Sequence, residues 1–86
     1  MYLVPYIEVE YGWGSRSEGY SVYSDLNECI NNTKKNSERG NYESGGGYYG
    51  PERPLKYYEA PFDKKIVDKG WADELPKFHA RSTSID

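Results

Sequence analysis

The chain has 86 residues, a net charge of −3 from 11 basic and 14 acidic side chains, and 14 aromatic residues, ten of them Tyr. A chain of this length makes one domain that buries only about 60–65% of its unfolded surface, so its core is small. The charge is spread without a block of five like residues, which excludes the basic footprint of a duplex-binding protein, and a lone cysteine, Cys29, excludes an internal disulfide and a cysteine-rich zinc site.

Residues 2–11, "YLVPYIEVEY", alternate in hydrophobicity. Leu3, Pro5, Ile7, Val9 and Tyr11 fall on one face, and Tyr2, Val4, Tyr6, Glu8 and Glu10 on the other, the period of a strand. Pro5 cannot donate to a ladder, which predicts an edge or the start of the strand there. The segment holds no basic run and carries Pro5 and Glu8, so it does not read as a secretory leader. "GWGSRSEG", 12–19, reads as a turn region and "YSVYS", 20–24, as a short second strand of a hairpin.

The period then changes. Asp25 with Glu28 resembles a capping box, and Leu26, Cys29, Ile30 and Thr33 form one helical stripe, which predicts a helix over 25–38 stopped by Gly40. Residues 40–54 show no periodicity and read as a Gly/Tyr/Pro-rich loop. "LKYYEA", 55–60, reads as a third strand, and 63–71, with Ile66 and Val67, as a fourth. Residues 71–78 read as a helical turn or irregular cover, and 79–86 as a loose tail. The expected organisation is a single domain over 1–78 plus that tail. Its fold class is α+β: a small antiparallel sheet of three to four strands, in the order β-β-α-β-β, with one helix on one face. The opposite sheet face is expected to expose tyrosines. With twelve Leu, Ile and Val against the 14 aromatics, rings must supply much of the buried area.

Chemistry-bearing constellations are sparse. Cys29 sits on the apolar stripe of the helix, where it reads as core, and His79 lies in the tail. No spacing indicates a metal site, a cofactor or a catalytic residue. Gly45-Gly46-Gly47 lacks the Lys-Ser/Thr of a phosphate loop. The composition of "GNYESGGGYYG", 40–50, instead matches adaptable binding loops, in which Tyr supplies contact area and Gly and Ser supply adaptability. Trp13, Tyr42, Tyr48, Tyr49, Arg53 and Tyr58 are the candidate partner-binding residues.

These features point to a non-enzymatic protein that covers a surface of a larger protein partner as a stoichiometric inhibitor or adaptor. Phage-encoded modulators of host or defence proteins commonly have this character. The alternatives are single-stranded nucleic acid, stacked on the tyrosines, and a structural or assembly subunit, including a homodimer joined through a strand edge. No apolar run is long enough to span a membrane. The cysteine usage suits a cytoplasmic setting, that of the host cell for a viral protein.

Overall fold

The computed structural model describes residues 1–39, 41–43, 47–77 and 81–85. In chain order these form β1 (Tyr2–Glu10), β2 (Gly14–Tyr23), α1 (Leu26–Arg39), β3 (Asn41–Glu43), β4 (Gly47–Pro51), β5 (Lys56–Glu59), α2 (Lys64–Lys69), β6 (Trp71–Ala72) and β7 (Ser82–Ser84). The class is α+β with an antiparallel sheet, as the alternation predicts. The sheet is larger than expected: the described residues hold seven strands and two helices rather than three to four strands and one helix.

β1 is the spine. β2 pairs with it from Tyr2↔Tyr23 to Glu10↔Gly14, with Glu18 as an extra residue where the register shifts between Tyr6 and Ile7. The other side of β1 is served by two separate segments: β4 opposite residues 6–10 and β5 opposite residues 2–3. Pro5 therefore lies inside a central strand, not at an edge or a strand start. It falls in the gap between β4 and β5, where no ladder partner asks for an N–H. Its carbonyl accepts from Glu52 N at 2.8 Å as the outer chain crosses the gap.

Successive strand residues point to opposite faces, so Leu3 and Val4 enter different cores. Val4 packs with Cys29 of α1 and with Ile85, flanked by Tyr2, Tyr6, Tyr23, Ile30, Leu55 and Tyr57. Leu3 packs with Met1, Val22, Ala60 and Ala72, flanked by Tyr20, Tyr58, Ile66, Val67 and Leu75. Both faces of the near half of the sheet are thus covered. The expected face of exposed tyrosines is occupied by α2 and the segment after it.

α1 starts as its sequence dictates: the Asp25 side chain accepts from Glu28 N at 2.9 Å, and Cys29 and Thr33 of the predicted stripe are fully buried. Gly40, the expected stop, lies outside the described residues. The expected fourth strand at 63–71 is instead α2. Asp63 caps its first turn through Lys65 N and Ile66 N, and Gly70, at φ 73°, closes it by donating to Ile66 O and Val67 O. An Asp before and a Gly after six residues outweigh the β preference of Ile66 and Val67.

Two further expectations are corrected. Residues 14–19 are strand, not turn; the Ser and Gly content of 14–17 reflects exposure beyond the cores, whereas Gly19 is buried against Trp71. The loop expected at 40–54 contains β3 and β4, paired Asn41↔Tyr49 to Glu43↔Gly47. Gly50 hid that strand. A β-carbon there would meet the Tyr48 hydroxyl at 2.8 Å, so the glycine lets the Tyr48 ring lie along its own strand and donate to Pro51 O at 3.0 Å. Within the expected loose tail, residues 82–84 pair with β5 and Ile85 is buried. His79 lies outside the described residues.

Candidate functional site

The cores end near Tyr6. Its hydroxyl accepts from Asn36 Nδ2 at 2.7 Å, and its ring meets Trp71 and Tyr49 edge-on at 5.8 and 6.0 Å. Burial pushes its hydroxyl pKa up to about 12, against a smaller opposing effect of the Asn36 hydrogen bond. Beyond it the β1–β2 hairpin continues with little cover, and residues 10–17 are all exposed. The chain reverses tightly: Trp13 N donates to Glu10 O at 2.9 Å, and Gly12 supplies the positive φ, 94°, that the third residue of a type II turn needs. This turn displays Trp13 at 88% exposure and Tyr11 at 64%.

The two faces of this free end differ. On one, Ile7, Val9, Tyr11, Tyr48 and Arg53 line a depression of about 260 Å³. The Arg53 guanidinium lies 5.2 Å from the Tyr48 ring centroid and donates to the Ser37 carbonyl at 2.7 Å, tying the last turn of α1 to the sheet. On the other face, Glu8, Glu10, Trp13, Gly14, Ser15 and Arg16 line a depression of about 190 Å³. A second of about 200 Å³ is lined by Glu8, Val9, Glu10, Gly47, Tyr48 and Tyr49. Arg16 reaches Glu8 at 2.7 Å and Glu18 at 2.9 Å. The Glu8 carboxyl is held below the usual carboxylate range, first by its hydrogen bond with Glu18 and then by Arg16. Arg16 is itself held more firmly in its charged form by Glu8 and Glu18. These exposed pairs order side chains more than they stabilise the fold.

The structure thus gathers Trp13, Tyr48, Tyr49 and Arg53 at the end of β1 that carries Val9, which pairs with Tyr48. Tyr42 pairs with Tyr48 through the β3 backbone, and its side chain lies outside the described residues. Tyr58 is placed elsewhere. It pairs with Leu3 at the other end of β1, packs into the core and meets Tyr20 edge-on at 6.2 Å. Sequence reasoning missed Ile7, Glu8, Val9, Glu10 and Tyr11 as members of this surface. The available signal was a hydrophobic strand followed by "GSRSE", which has no apolar residue to pair with it.

Cys29 is fully buried, and burial pushes its thiol up to about 11, an environment that withholds the nucleophilic thiolate. Among the described residues, no group of three or more His, Cys, Asp or Glu is arranged to hold a metal, and no helix is long and apolar enough to cross a membrane. Comparison with protein-family models, curated proteins and solved structures finds no match to this chain.

Proposed function

We propose that this chain is a non-enzymatic protein-binding module, an inhibitor or adaptor that covers a surface of a larger protein through the free end of the β1–β2 hairpin and the adjoining β4. The observation that carries this reading is the exposure of Trp13, 88%, beside Tyr11 at 64% and Tyr49 at 38%, where neither core reaches. Large rings held in water on a short, hydrogen-bonded turn are anchors at low entropic cost: they offer area to a partner and lose little freedom on docking. Ile7 and Val9 lie beside Tyr11, on the face opposite Trp13 and Tyr49, and add apolar contact there.

The same rings could stack on the bases of a single strand, but their surroundings favour protein. Glu8, Glu10 and Glu18 share a face with Tyr49 or line a depression with Trp13, and carboxylates repel phosphates. The cations nearby, Arg16 and Arg53, are engaged by Glu8, Glu18 and the Ser37 carbonyl.

The test is capture of a partner from extracts of the native host by wild type and by Trp13→Ala/Tyr11→Ala, with folding checked by circular dichroism. The double variant is expected to keep its spectrum and lose the partner. A folded double variant that captures the same protein at wild-type yield overturns the reading. So does a mobility shift with short oligonucleotides that the double variant abolishes while protein capture is untouched.

A further inference from the structure

We propose that the Glu8/Glu10 face of the hairpin end is a docking site for the cationic side chains of a protein partner, a basic segment whose Arg or Lys head groups sit over these two carboxylates between Trp13 and Tyr49. The proposal rests on the protein-binding reading above and names the chemistry of the partner.

Strand alternation sets the arrangement. Glu8 and Glu10 are two residues apart on β1 and share a face. Tyr49 is the cross-strand partner of Glu8 on β4, and Arg16 is its partner on β2. Glu10 has glycines on both sides: Gly14 of β2 and Gly47 of β4. No neighbouring cross-strand side chain covers its carboxylate, and among the described residues Glu10 forms no ion pair. Glu8 and Glu10 line both depressions on this face. Trp13 lines one and Tyr49 the other. Each depression, at about 190 and about 200 Å³, is several times the roughly 30 Å³ share of one water, enough for a guanidinium or ammonium head group.

The charge is complementary to such a group. Glu8, Glu10 and Glu18 against the single guanidinium of Arg16 leave this end net negative, even with a proton shared between Glu8 and Glu18. An aromatic face beside a carboxylate suits a cation twice over: the ring quadrupole attracts it, Trp most strongly, and the carboxylate pairs with it. The surface already does this within its own chain, since Arg16 lies between Glu8 and Glu18. A partner's cations would extend that alternation of sign across Glu10.

The two indoles give an internal control, because Trp71 packs against Gly19 and Tyr6 while Trp13 is free in solvent. The experiment is an NMR titration of the full chain at low salt with the capped peptide Gly-Arg-Gly-Arg-Gly, and with Gly-Glu-Gly-Glu-Gly and an oligothymidine as comparators. Only the arginine peptide is expected to shift the Trp13 indole N–H, with Trp71 unmoved. Glu10→Gln should weaken that binding about three- to tenfold, and added salt should weaken it further. A Trp13 shift with the acidic peptide or the oligonucleotide and not with the basic one overturns the proposal, as does an arginine-peptide affinity that Glu10→Gln leaves unchanged. The captured partner separates this from the broader reading. If its binding is lost in Trp13→Ala/Tyr11→Ala but is indifferent to Glu10→Lys, protein binding stands and the cation site falls.

Discussion

The Trp71 ring lies directly on the α-carbon of Gly19. A β-carbon at that position would come within 2.6 Å of the ring carbon Cζ2 and 2.9 Å of the Ala72 carbonyl oxygen, and Gly19 holds φ at +124°. Gly19→Ala should therefore cost about 2–4 kcal/mol, the sum of a strained backbone and an overpacked contact. Gly12→Ala is the control. Its φ of +94° is also strained, yet nothing lies within 4 Å of the new β-carbon, so it should carry the backbone cost alone, about 1–2 kcal/mol. Urea denaturation of both variants measures the difference, and equal losses would mean that Trp71 yields without penalty.

The Cys29 thiol makes stability depend on alkaline pH. Burial pushes it up to about 11 from an ordinary value of 9.0. Below the ordinary value both folded and unfolded chains keep the proton, and the contribution is fully present. As pH rises through this window the unfolded chain releases the proton while the folded chain holds it, so stability falls. Relative to Cys29→Ala, wild type should lose about 1–2 kcal/mol between about pH 8 and pH 10.5. Parallel stability–pH curves for the two proteins would refute this.

Thr33 is fully buried in α1, and its hydroxyl meets no oxygen or nitrogen partner among the described residues. The Cys29 thiol, one turn back, is a weak partner. Thr33→Val removes an unsatisfied hydroxyl and keeps the shape, so it should be neutral or stabilising by up to about 1 kcal/mol. Thr33→Ser keeps the hydroxyl and loses the methyl, and should cost about 1 kcal/mol. Thermal melts of the two variants should move in opposite directions.

Tyr49 and Tyr58 lie at opposite ends of β1's outer edge and should differ in how much they cost stability. Tyr58→Ala opens the core around Leu3 and Tyr20 and should cost about 2–4 kcal/mol. Tyr49→Ala removes a ring that is 38% exposed and meets Tyr6 edge-on, so it should cost about 1 kcal/mol or less while weakening partner binding. A Tyr49 variant that unfolds would place that ring among the structural residues.

β1 and α1 were legible because their signals are local: alternation over nine residues, and an Asp cap ahead of an apolar stripe. α2 was legible in its caps, Asp63 and Gly70, but two β-branched residues between them pulled the reading toward strand. The second half of β2 was legible as "YSVYS", but its first half, 14–19, and the β3–β4 pair were not, since Ser, Gly and Tyr in those segments follow exposure and ring packing rather than a period. The same cause hid half of the candidate surface. Trp13, Tyr48 and Tyr49 announce themselves by residue type, whereas Glu10 stands out only because Gly14 and Gly47 pair with it, and Glu8 only through its cross-strand partners Arg16 and Tyr49. Tyr58 shows the converse: residue type alone marks a core ring as readily as a contact ring.

The break in β1's outer partner, bridged at Pro5, splits the labour of the molecule between two stretches of one strand. Residues before it are locked between two cores and tolerate little change. Residues after it are paired on both sides, by β2 and β4, but pass out of the cores beyond Tyr6, and 10–17 face solvent, so substitutions at the hairpin end itself should disturb folding little. A lineage carrying this architecture can exchange the side chains of the hairpin end without compensating core mutations, and on the proposed protein-binding reading that freedom would let the surface follow a drifting partner.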